Sequence, residues 1–337
     1  MCIDLLGALF PDGEDHPPRL KDERAQGWTL NELANSYSLS GQPRRAVPLF
    51  QRDIAISEKQ DDKENLAISL GNVADDQLKV GALRDAEDNL RRSIALSRET
   101  NNEFGEAYAH NQLGVLLAYS GAYTDSKTEL GTALKIVEKK KEVQPQSNIW
   151  AYRALRELLR LRSNPGSALR SSQSALKWAR HALELTDETA RTRYPYEGDY
   201  VRAHWLLGAA HRVADQPDKA ERHLHEALER CRRINMVYLE ADILIDLARL
   251  RDATGTPDEA RWLAEEALLI TERSGYVLQG ADAHLELAKL ALARGDKATA
   301  KEHARQSKDL ATCDGPPDYT YKAAYDEAGA LLDESAS

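Results

Sequence analysis

The chain has 337 residues, of which 42% are hydrophobic and 30% are charged, and its formal net charge is −10. This apolar content excludes a chain that is disordered throughout, and the acidic balance argues against a general nucleic-acid binder, which needs a positive surface. Three scattered cysteines and the lack of an apolar run near roughly 18 residues argue against a disulfide framework and a membrane span, so we expect a cytoplasmic protein.

The first apolar segment contains Leu5, Leu6, Leu9 and Phe10 and ends before Pro11. It resembles the last turns of a helix that has no partner helix in this chain. We therefore expect residues 1–24 to be the end of an upstream segment, and the chain to be an excised fragment of a longer protein. A native N-terminal cap is the alternative.

Short turns then recur with a fixed spacing along the chain. They fall at 40-residue intervals within each half, at Gly41, Gly81 and Gly121 and at Asp215, Gly255 and Gly295. Two separate runs with one period indicate a repeat architecture. The longer interval between the runs predicts a seventh copy in the middle that carries insertions.

Each copy has an amphipathic segment on either side of its turn. In the first copy Leu30, Ala34 and Tyr37 share one helical face before the turn. Ala46 and Phe50 begin a second such face after it. Every copy is therefore predicted to be a helix–turn–helix unit, whose first helix we call helix A and whose second we call helix B.

The small residues at matched positions resemble those of the tetratricopeptide repeat. The matching pairs are Leu113-Gly114 and Leu207-Gly208 in helix A and Ala227-Leu228 in helix B. The resemblance covers about residues 25–312. It implies an all-α fold, a right-handed superhelical solenoid of seven helix–turn–helix repeats with a C-terminal capping helix.

Two features depart from the family pattern. Asp53 and Ser93 occupy the helix B site where the family has alanine. The period of 40 exceeds the family's roughly 34 residues, so we expect longer loops between repeats. Repeats with this longer period resemble the sensor arms of bacterial signal-transduction NTPases of the STAND class and of some transcription activators.

The fourth repeat is predicted to be irregular. Its helix A is predicted over residues 149–162, and insertions over about 163–199 are expected to lengthen helix B at its start and to separate repeat 4 from repeat 5. After Pro316-Pro317 the apolar stripe of residues 319–332 predicts the capping helix, so that residues 313–337 form the C-terminal cap and tail.

A search for catalytic and metal-binding motifs predicts neither an enzyme nor a cofactor or metal site. The chain has no phosphate-binding glycine loop and no His-Glu-x-x-His sequence. His204 and His211 share a helical face, but packing is the expected role for both. Cys231 has no activating partner in the sequence and is expected to be buried.

The concave face of the solenoid is the predicted binding surface. If helix A of each repeat lines this face, its inward positions carry aromatic, amide and arginine side chains typical of recognition surfaces. The predicted partner-binding residues are Tyr108, Asn111, Trp150, Arg153, Arg160, Arg202, Trp205, Arg212 and Arg249. The same counting places Trp28, Asn31, Asn35, Asp75, Asp242 and Asp282 on the concave face. The alternative is that the tryptophans pack against neighbouring helices and the arginines are solvated.

Charge also singles out the middle of the chain. Residues 150–233 contain 16 Lys and Arg and 11 Asp and Glu, a net charge of +5. This distribution predicts an acidic protein or peptide partner. The overall negative charge and the lack of a long apolar run predict that neither nucleic acid nor a membrane is a partner. We expect a monomeric, non-catalytic recognition scaffold, the ligand-sensing arm of a larger bacterial signalling NTPase. The alternative is the small-ligand or peptide sensor domain of a transcription activator with such repeats.

Overall fold

The computed structural model describes residues 2–164, 166 and 168–336, and over these residues it is 81% helical without a β-strand. The chain order of the helices in this part is α1 (Cys2–Gly7), α2 (Glu23–Leu39), α3 (Pro43–Lys59), α4 (Lys63–Lys79), α5 (Leu83–Glu99), α6 (Glu103–Tyr119), α7 (Tyr123–Lys139), α8 (Val143–Ser163), α9 (Ala168–Thr192), α10 (Glu197–Val213), α11 (Pro217–Arg233), α12 (Val237–Ala253), α13 (Pro257–Ser274), α14 (Val277–Ala293), α15 (Lys297–Ala311) and α16 (Lys322–Ala336).

The helices pack as consecutive pairs. Helices α2 to α15 form seven pairs, one for each repeat, and α16 packs against the last pair. The predicted all-α solenoid of seven repeats with a C-terminal helix is therefore confirmed. Most helices of the array have 17 residues and are joined by turns of three residues. The expectation of longer loops between repeats is wrong, because the extra residues of the 40-residue period lengthen the helices instead.

The insertion of repeat 4 lies mainly within its helices. Helix α8 has 21 residues and α9 has 25, against 17 in most of the other repeat helices. Helix α8 begins at Val143, six residues before the predicted start, and continues for an extra turn at its end. The insertion was expected to lengthen helix B alone, so this prediction was incomplete.

The close approach of the two helices in a repeat explains the Leu-Gly pairs. A Cβ atom on Gly114 would lie 2.6 Å from Cγ of Leu130, and one on Gly208 would lie 2.7 Å from Cγ of Leu224. Both distances are far below a normal contact. Glycine at these positions lets helix B pack directly on the backbone of helix A.

The superhelix completes one turn in about five repeats. A Cβ atom on Gly41, at the end of helix A in repeat 1, would lie 3.1 Å from Val237 of repeat 6, and one on Gly81 of repeat 2 would lie 2.8 Å from Val277 of repeat 7. The backbone N–H of Arg84, in repeat 2, likewise donates a hydrogen bond to Asp314 Oδ2, just after repeat 7, at 2.8 Å. The first repeats thus rest on the last ones, and the superhelix encloses a narrow interior.

The N-terminal segment packs on the first repeat. Phe10 is buried in a cluster with Leu30 and Leu33, and Leu6 packs against this cluster, whereas Leu5 is exposed. The expectation that this segment has no packing partner in the chain is therefore wrong. Within the described residues, no helix combines the length and the apolar composition that spanning a bilayer requires.

Candidate functional site

One position of helix A lines the interior of the superhelix in every repeat. This position is the sixth residue of the helix, occupied in chain order by Trp28, Ile68, Tyr108, Asn148, Arg202, Asp242 and Asp282. The residues are 40 apart except across the insertion, where the step is 54. Because the series changes from apolar to polar and then to acidic, different parts of the interior have different chemistry.

A cavity of about 420 Å³ lies between repeats 1 to 5 and the start of α12, and we call it the central cavity. Six side-chain amides line it, those of Asn35, Asn72, Asn111, Gln112, Gln144 and Asn148. Three tyrosines complete its polar wall, Tyr108, Tyr152 and Tyr238. At its mouth Leu39 and Phe104 are exposed by 73% and 67%. The volume and this mixture of groups are typical of ligand pockets.

Arg202 provides a buried positive charge in the wall of the central cavity. Its Nη2 donates to the hydroxyl of Tyr238 at 3.0 Å, and its guanidinium carbon lies 5.2 Å from the ring centre of Tyr152. Its Nη1 donates to Asn148 and, at 3.3 Å, to Asp199. Burial lowers the pKa of Arg202, but the tyrosines and Asp199 outweigh this effect and raise it above the ordinary value. Arg202 is therefore charged, with one carboxylate partner at a long distance.

Lys79 also lines the central cavity, with its Nζ 5.1 Å from the ring centre of Tyr238. Its Nζ contacts Asp75 Oδ2 at 2.6 Å and Asp76 Oδ1 at 2.9 Å. Burial lowers the pKa of Lys79, but the two carboxylates raise it well above the usual range. Since Lys79 already has two carboxylate partners, Arg202 is the better candidate to receive an anionic ligand group.

Two buried polar atoms of the cavity wall have no hydrogen-bond partner among the described residues. They are Oδ1 of Asn111 and Nε of Arg202. An unpaired buried acceptor or donor costs about 1–3 kcal/mol, so a ligand that pairs with it recovers this free energy. The wall of the cavity thus contains one acceptor and one donor that have no partner within the described residues.

Three predicted site residues line the central cavity, namely Tyr108, Asn111 and Arg202. Three others, Trp205, Arg212 and Arg249, lie farther along the interior around a hollow of about 100 Å³, which we call the inner cavity. The structure therefore divides these six residues between two compartments rather than bringing them into one groove.

The residues of the inner cavity contact one another. The indole N–H of Trp205 donates to Asp246 Oδ2 at 2.8 Å, and Arg212 donates to Asp246 Oδ1 at 2.9 Å. Trp205 is only 5% exposed, because the closed superhelix covers its ring. The expectation that Trp205 offers apolar contact area to a partner does not fit this burial.

Trp150, Arg153 and Arg160 line neither cavity. Trp150 packs on α9 with its ring centre 6.4 Å from that of Trp178, and Arg153 lies over both rings. Arg160 lies on the surface of α8, with Nη1 3.6 Å from Glu157. The prediction that Arg153 and Arg160 share a concave binding surface with Arg202 is wrong, because they are the eleventh and eighteenth residues of α8, whereas the sixth residue of helix A lines the interior.

The net positive charge of residues 150–233 is largely neutralised within the protein. Acidic residues from outside this segment pair with several of its arginines, as in Arg162–Asp282, Arg212–Asp246 and Arg232–Glu266. Counting charges along a segment cannot detect pairs formed across repeats. Of the predicted basic centre, Arg202 is the part that faces the central cavity.

His204, His211 and His223 form a separate cluster of packed side chains, and Cys231 is buried near the end of α11. His204 and His223 contact each other through their Nδ1 atoms at 2.9 Å, and the ring of His211 stacks on His223. Burial lowers the pKa of His223 to about 4 and raises that of Cys231 to about 12, so both are neutral. In the part of the chain that the structure describes, no three His, Cys, Asp or Glu residues converge as metal ligands.

Several residues of the central cavity were missed at the sequence level. Asn148, Tyr152, Lys79 and Tyr238 line it but were not among the predicted binding residues. A signal for one of them was present, because Asn148 follows Tyr108 by one period of 40 residues. Tyr238 had no such signal, since it reaches the cavity through contact between successive superhelical turns.

Comparison with protein families gives two matches. One model described as tetratricopeptide repeat matches residues 25–99 and 199–273, and a second matches residues 281–306. No curated protein matches this sequence. Together the models cover repeats 1, 2, 5, 6 and most of 7, and leave out the irregular fourth repeat.

Solved structures with a similar fold come from several kinds of protein. The Rap conjugation gene regulator of the plasmid pLS20, in complex with a Phr peptide, is 12% identical with a TM-score of 0.67, covering 91% of this chain and 81% of its own. Aspartyl phosphate phosphatase F from Bacillus subtilis is 14% identical with a TM-score of 0.60, covering 86% and 72%.

A third structure is a STAND protein, a signal transduction ATPase with numerous domains, with a tetratricopeptide repeat sensor, from Pyrococcus horikoshii. It is 14% identical with a TM-score of 0.55, and the match covers 94% of this chain and 43% of that one. The present chain thus spans less than half the length of the Pyrococcus protein. At these identities the likeness establishes the fold alone.

Proposed function

Because the chain belongs to the tetratricopeptide repeat family, we propose that it is a non-catalytic scaffold that binds a protein or peptide segment in its central cavity. Repeat proteins of this kind present an extended concave surface rather than a single catalytic constellation. The central cavity is the part of that surface with the volume and polar lining of a binding site.

The amide lining is the observation that carries this proposal. Each Asn or Gln amide offers both a donor and an acceptor, the same pair that a peptide bond presents. Asn35, Gln112 and Gln144 each donate one hydrogen bond within the protein, and Asn148 accepts one. Because an amide has two donor hydrogens and an oxygen with two lone pairs, the six amides keep further groups for a ligand with several peptide bonds. Asn111 supports this choice, since its Oδ1 is buried without a partner and suits a peptide N–H.

The charge of Arg202 supports an acidic segment as the ligand. A guanidinium can donate two parallel hydrogen bonds to a carboxylate, and its Nε donor is free in the described structure. The exposed rings of Phe104 and Tyr108 supply apolar contact area beside it. We therefore propose an acidic peptide with at least one large apolar side chain.

For the larger protein context we propose the sensor arm of a signalling NTPase. The similar fold of the Pyrococcus protein, which combines a STAND ATPase with a repeat sensor, supports this assignment. The alternative is the sensor domain of a transcription activator, supported by the fold likeness to the peptide-bound conjugation gene regulator. A phosphate-binding loop encoded upstream in the same reading frame would favour the first, and a helix–turn–helix segment encoded downstream would favour the second.

Selection from a random peptide library tests the binding function. The full chain is immobilised, enriched peptides are synthesised, and their affinity is measured by fluorescence anisotropy. We expect enriched peptides to contain Asp or Glu, and Arg202→Met to weaken their binding ten-fold or more, as truncation of a buried arginine anchor does. The matched control is Arg191→Met, an exposed arginine of α9, which should leave the affinity unchanged.

Two outcomes would contradict the proposal. One is that no peptide is enriched above a bare surface. The other is that the enriched peptides bind Arg202→Met and wild-type protein equally well, which would place them outside the central cavity.

A further inference from the structure

A second hollow lies on the concave face between repeats 1 and 2, apart from the central cavity. It has a volume of about 220 Å³ and we call it the Asp53 pocket. Helices α2, α3 and α4 contribute to its wall, with Trp28, Asn31, Asp53, Asp62 and Ile68 among the lining residues.

Asp53 is a buried carboxylate in the wall of this pocket, with a relative exposure of only 4%. Its Oδ2 accepts hydrogen bonds from Asn31 Nδ2 at 3.0 Å and from the hydroxyl of Ser69. In the described structure neither Oδ1 nor Oδ2 has a cationic partner. Two neutral donors on one oxygen leave the negative charge of the group uncompensated, and buried charges are normally paired.

Glycine at position 27 of helix α2 leaves space for the carboxylate of Asp53. A Cβ atom on Gly27 would lie 2.7 Å from Asp53 Oδ1, so any larger residue there would displace the carboxylate. The family has alanine at the position of Asp53, and repeats 3, 5 and 6 keep it, as Ala133, Ala227 and Ala267. The acid of repeat 1 is thus a departure from the structural pattern, and Gly27 provides the room for it.

The surroundings of the pocket are also negative. Burial raises the pKa of Asp53, and the charge of Asp62 adds to the rise. Glu32 contributes a third carboxylate to the lining. Arg24 is the basic residue of the lining, and its exposed side chain forms no ion pair with Asp53 or Asp62 among the described contacts.

Trp28 adds an aromatic surface to the same pocket. It follows Gly27 directly and is 63% exposed, which is unusual for the largest apolar side chain. An indole ring attracts a cation over its face, and a neighbouring carboxylate strengthens the attraction. Trp28 and Asp53 line the same pocket, which therefore combines an aromatic ring with a carboxylate.

We propose that the Asp53 pocket binds an organic cation, an ammonium or guanidinium group, between the carboxylate of Asp53 and the ring of Trp28. The group is supplied by a lysine or arginine side chain or by the amino terminus of a peptide. The site lies three repeats or more from Arg202 along the array, so a segment that fills both sites runs with its cationic part toward repeat 1. The binding of the cation does not depend on what occupies the central cavity.

Small-molecule probes of defined charge test this proposal on the full chain. The probes are N-acetyl-lysine methylamide, N-acetyl-arginine methylamide, alanyl-alaninamide with a free α-ammonium group, and the neutral N-acetyl-norleucine methylamide. Binding is followed through the indole N–H resonance of Trp28 in ¹H–¹⁵N NMR spectra, assigned by its loss in Trp28→Phe. We expect saturable shifts with one or more of the cations and at least ten-fold weaker binding of norleucine. The cation that binds best identifies the source of the group.

Two variants separate binding from structure. Asp53→Asn keeps an acceptor for Asn31 and Ser69 but removes the charge, and Asp53→Ala restores the residue of the family. Both should weaken binding of the cation ten-fold or more, while the thermal unfolding midpoint of Asp53→Ala stays the same or rises. The inference is wrong if no cation shifts the Trp28 signal in the wild-type protein, if norleucine binds as well as lysine, or if both variants bind the cations like wild type.

Discussion

Arg162 forms a bidentate salt bridge with Asp282, 120 residues later in the chain, at 3.0 Å from Nη1 to Oδ2 and 2.7 Å from Nη2 to Oδ1. Its Nε donates to Glu327 Oε1 at 2.7 Å, and Nη1 also donates to the hydroxyl of Tyr321. Arg162 lies in the extra turn of α8 that distinguishes repeat 4. The insertion therefore connects the middle of the array to its last repeat and to α16.

Replacing Arg162 should destabilise the protein strongly. Arg162→Ala removes the bidentate partner of buried Asp282, which keeps Arg249 at 3.3 Å, and one of the two cations of half-buried Glu327, which keeps Lys289 at 2.7 Å. Removal of one partner from a buried ion pair costs up to about 3–5 kcal/mol. Chemical denaturation followed by circular dichroism measures the free energy of unfolding. The matched control is Arg160→Ala on the same helix, whose 3.6 Å contact with Glu157 is half-exposed and should contribute less than about 1 kcal/mol. Equal losses for the two variants would contradict this role of Arg162.

Most of the fold could be predicted from the repeat pattern, and the turn positions show why. The residues with positive φ at the ends of helix A, such as Gly41 (φ 80°) and Asp215 (φ 56°), are those that marked the period in the sequence. Local turn chemistry and the small residues of the Leu-Gly pairs are properties of one repeat, so one repeat at a time suffices to recognise them.

The site could be predicted only in part from the sequence. Tyr108 and Arg202 were placed correctly in the interior because both are the sixth residue of a 17-residue helix A. Trp150 was misplaced, since α8 starts at Val143 and Trp150 is its eighth residue, facing α9. The burial of Trp205 depends on the closure of the superhelix, which results from small rotations summed over five repeats and has no signature within one repeat.

Adding a methyl group at two helical glycines should have opposite effects. Gly208→Ala introduces a Cβ at 2.7 Å from Leu224 and 3.1 Å from its backbone nitrogen, and such overpacking costs about 1–3 kcal/mol. Gly131 in α7 has nothing within 4 Å of an added Cβ, so Gly131→Ala should stabilise the protein by about 0.5–1 kcal/mol through helix propensity. Thermal unfolding of the two variants measures both shifts, and a destabilised Gly131→Ala would contradict the packing described for α7.

Stability should fall as the pH rises toward 8 because of Asp242. Burial, together with the nearby charges of Asp282 and Asp246, raises the pKa of Asp242 from 3.8 to about 8, so the folded protein keeps a proton that the unfolded chain releases. The stabilisation is complete below pH 3.8 and is lost as the pH rises to about 8, with a slope of at most about 1.4 kcal/mol per pH unit.

Asp242→Asn isolates this contribution of Asp242. Asparagine keeps an acceptor for Gln279, which donates at 3.0 Å, and it does not ionise. The free energy of unfolding of Asp242→Asn relative to wild type should therefore increase steadily from pH 4 to pH 8 and then level off. The exposed Asp252→Asn serves as the control and should follow the wild-type profile. A constant difference between Asp242→Asn and wild type across this range would show that Asp242 is ionised in the folded protein.

Substitutions of aromatic residues in the two cavities should affect peptide binding and protein stability differently. Phe104 and Tyr108 are exposed by 67% and 38% at the central cavity. Phe104→Ser and Tyr108→Ser should therefore each weaken the binding of the library-selected peptides ten-fold or more without lowering the unfolding midpoint.

Trp205→Phe removes the donor to Asp246 and leaves a buried carboxylate oxygen unpaired, which costs about 1–3 kcal/mol of stability. Its peptide affinity, measured by fluorescence anisotropy well below the unfolding midpoint, should stay within about three-fold of wild type, since the ring is out of reach of a ligand. If Trp205→Phe instead loses affinity while keeping its stability, the inner cavity belongs to the binding site and the ligand extends past Tyr152 toward repeat 6.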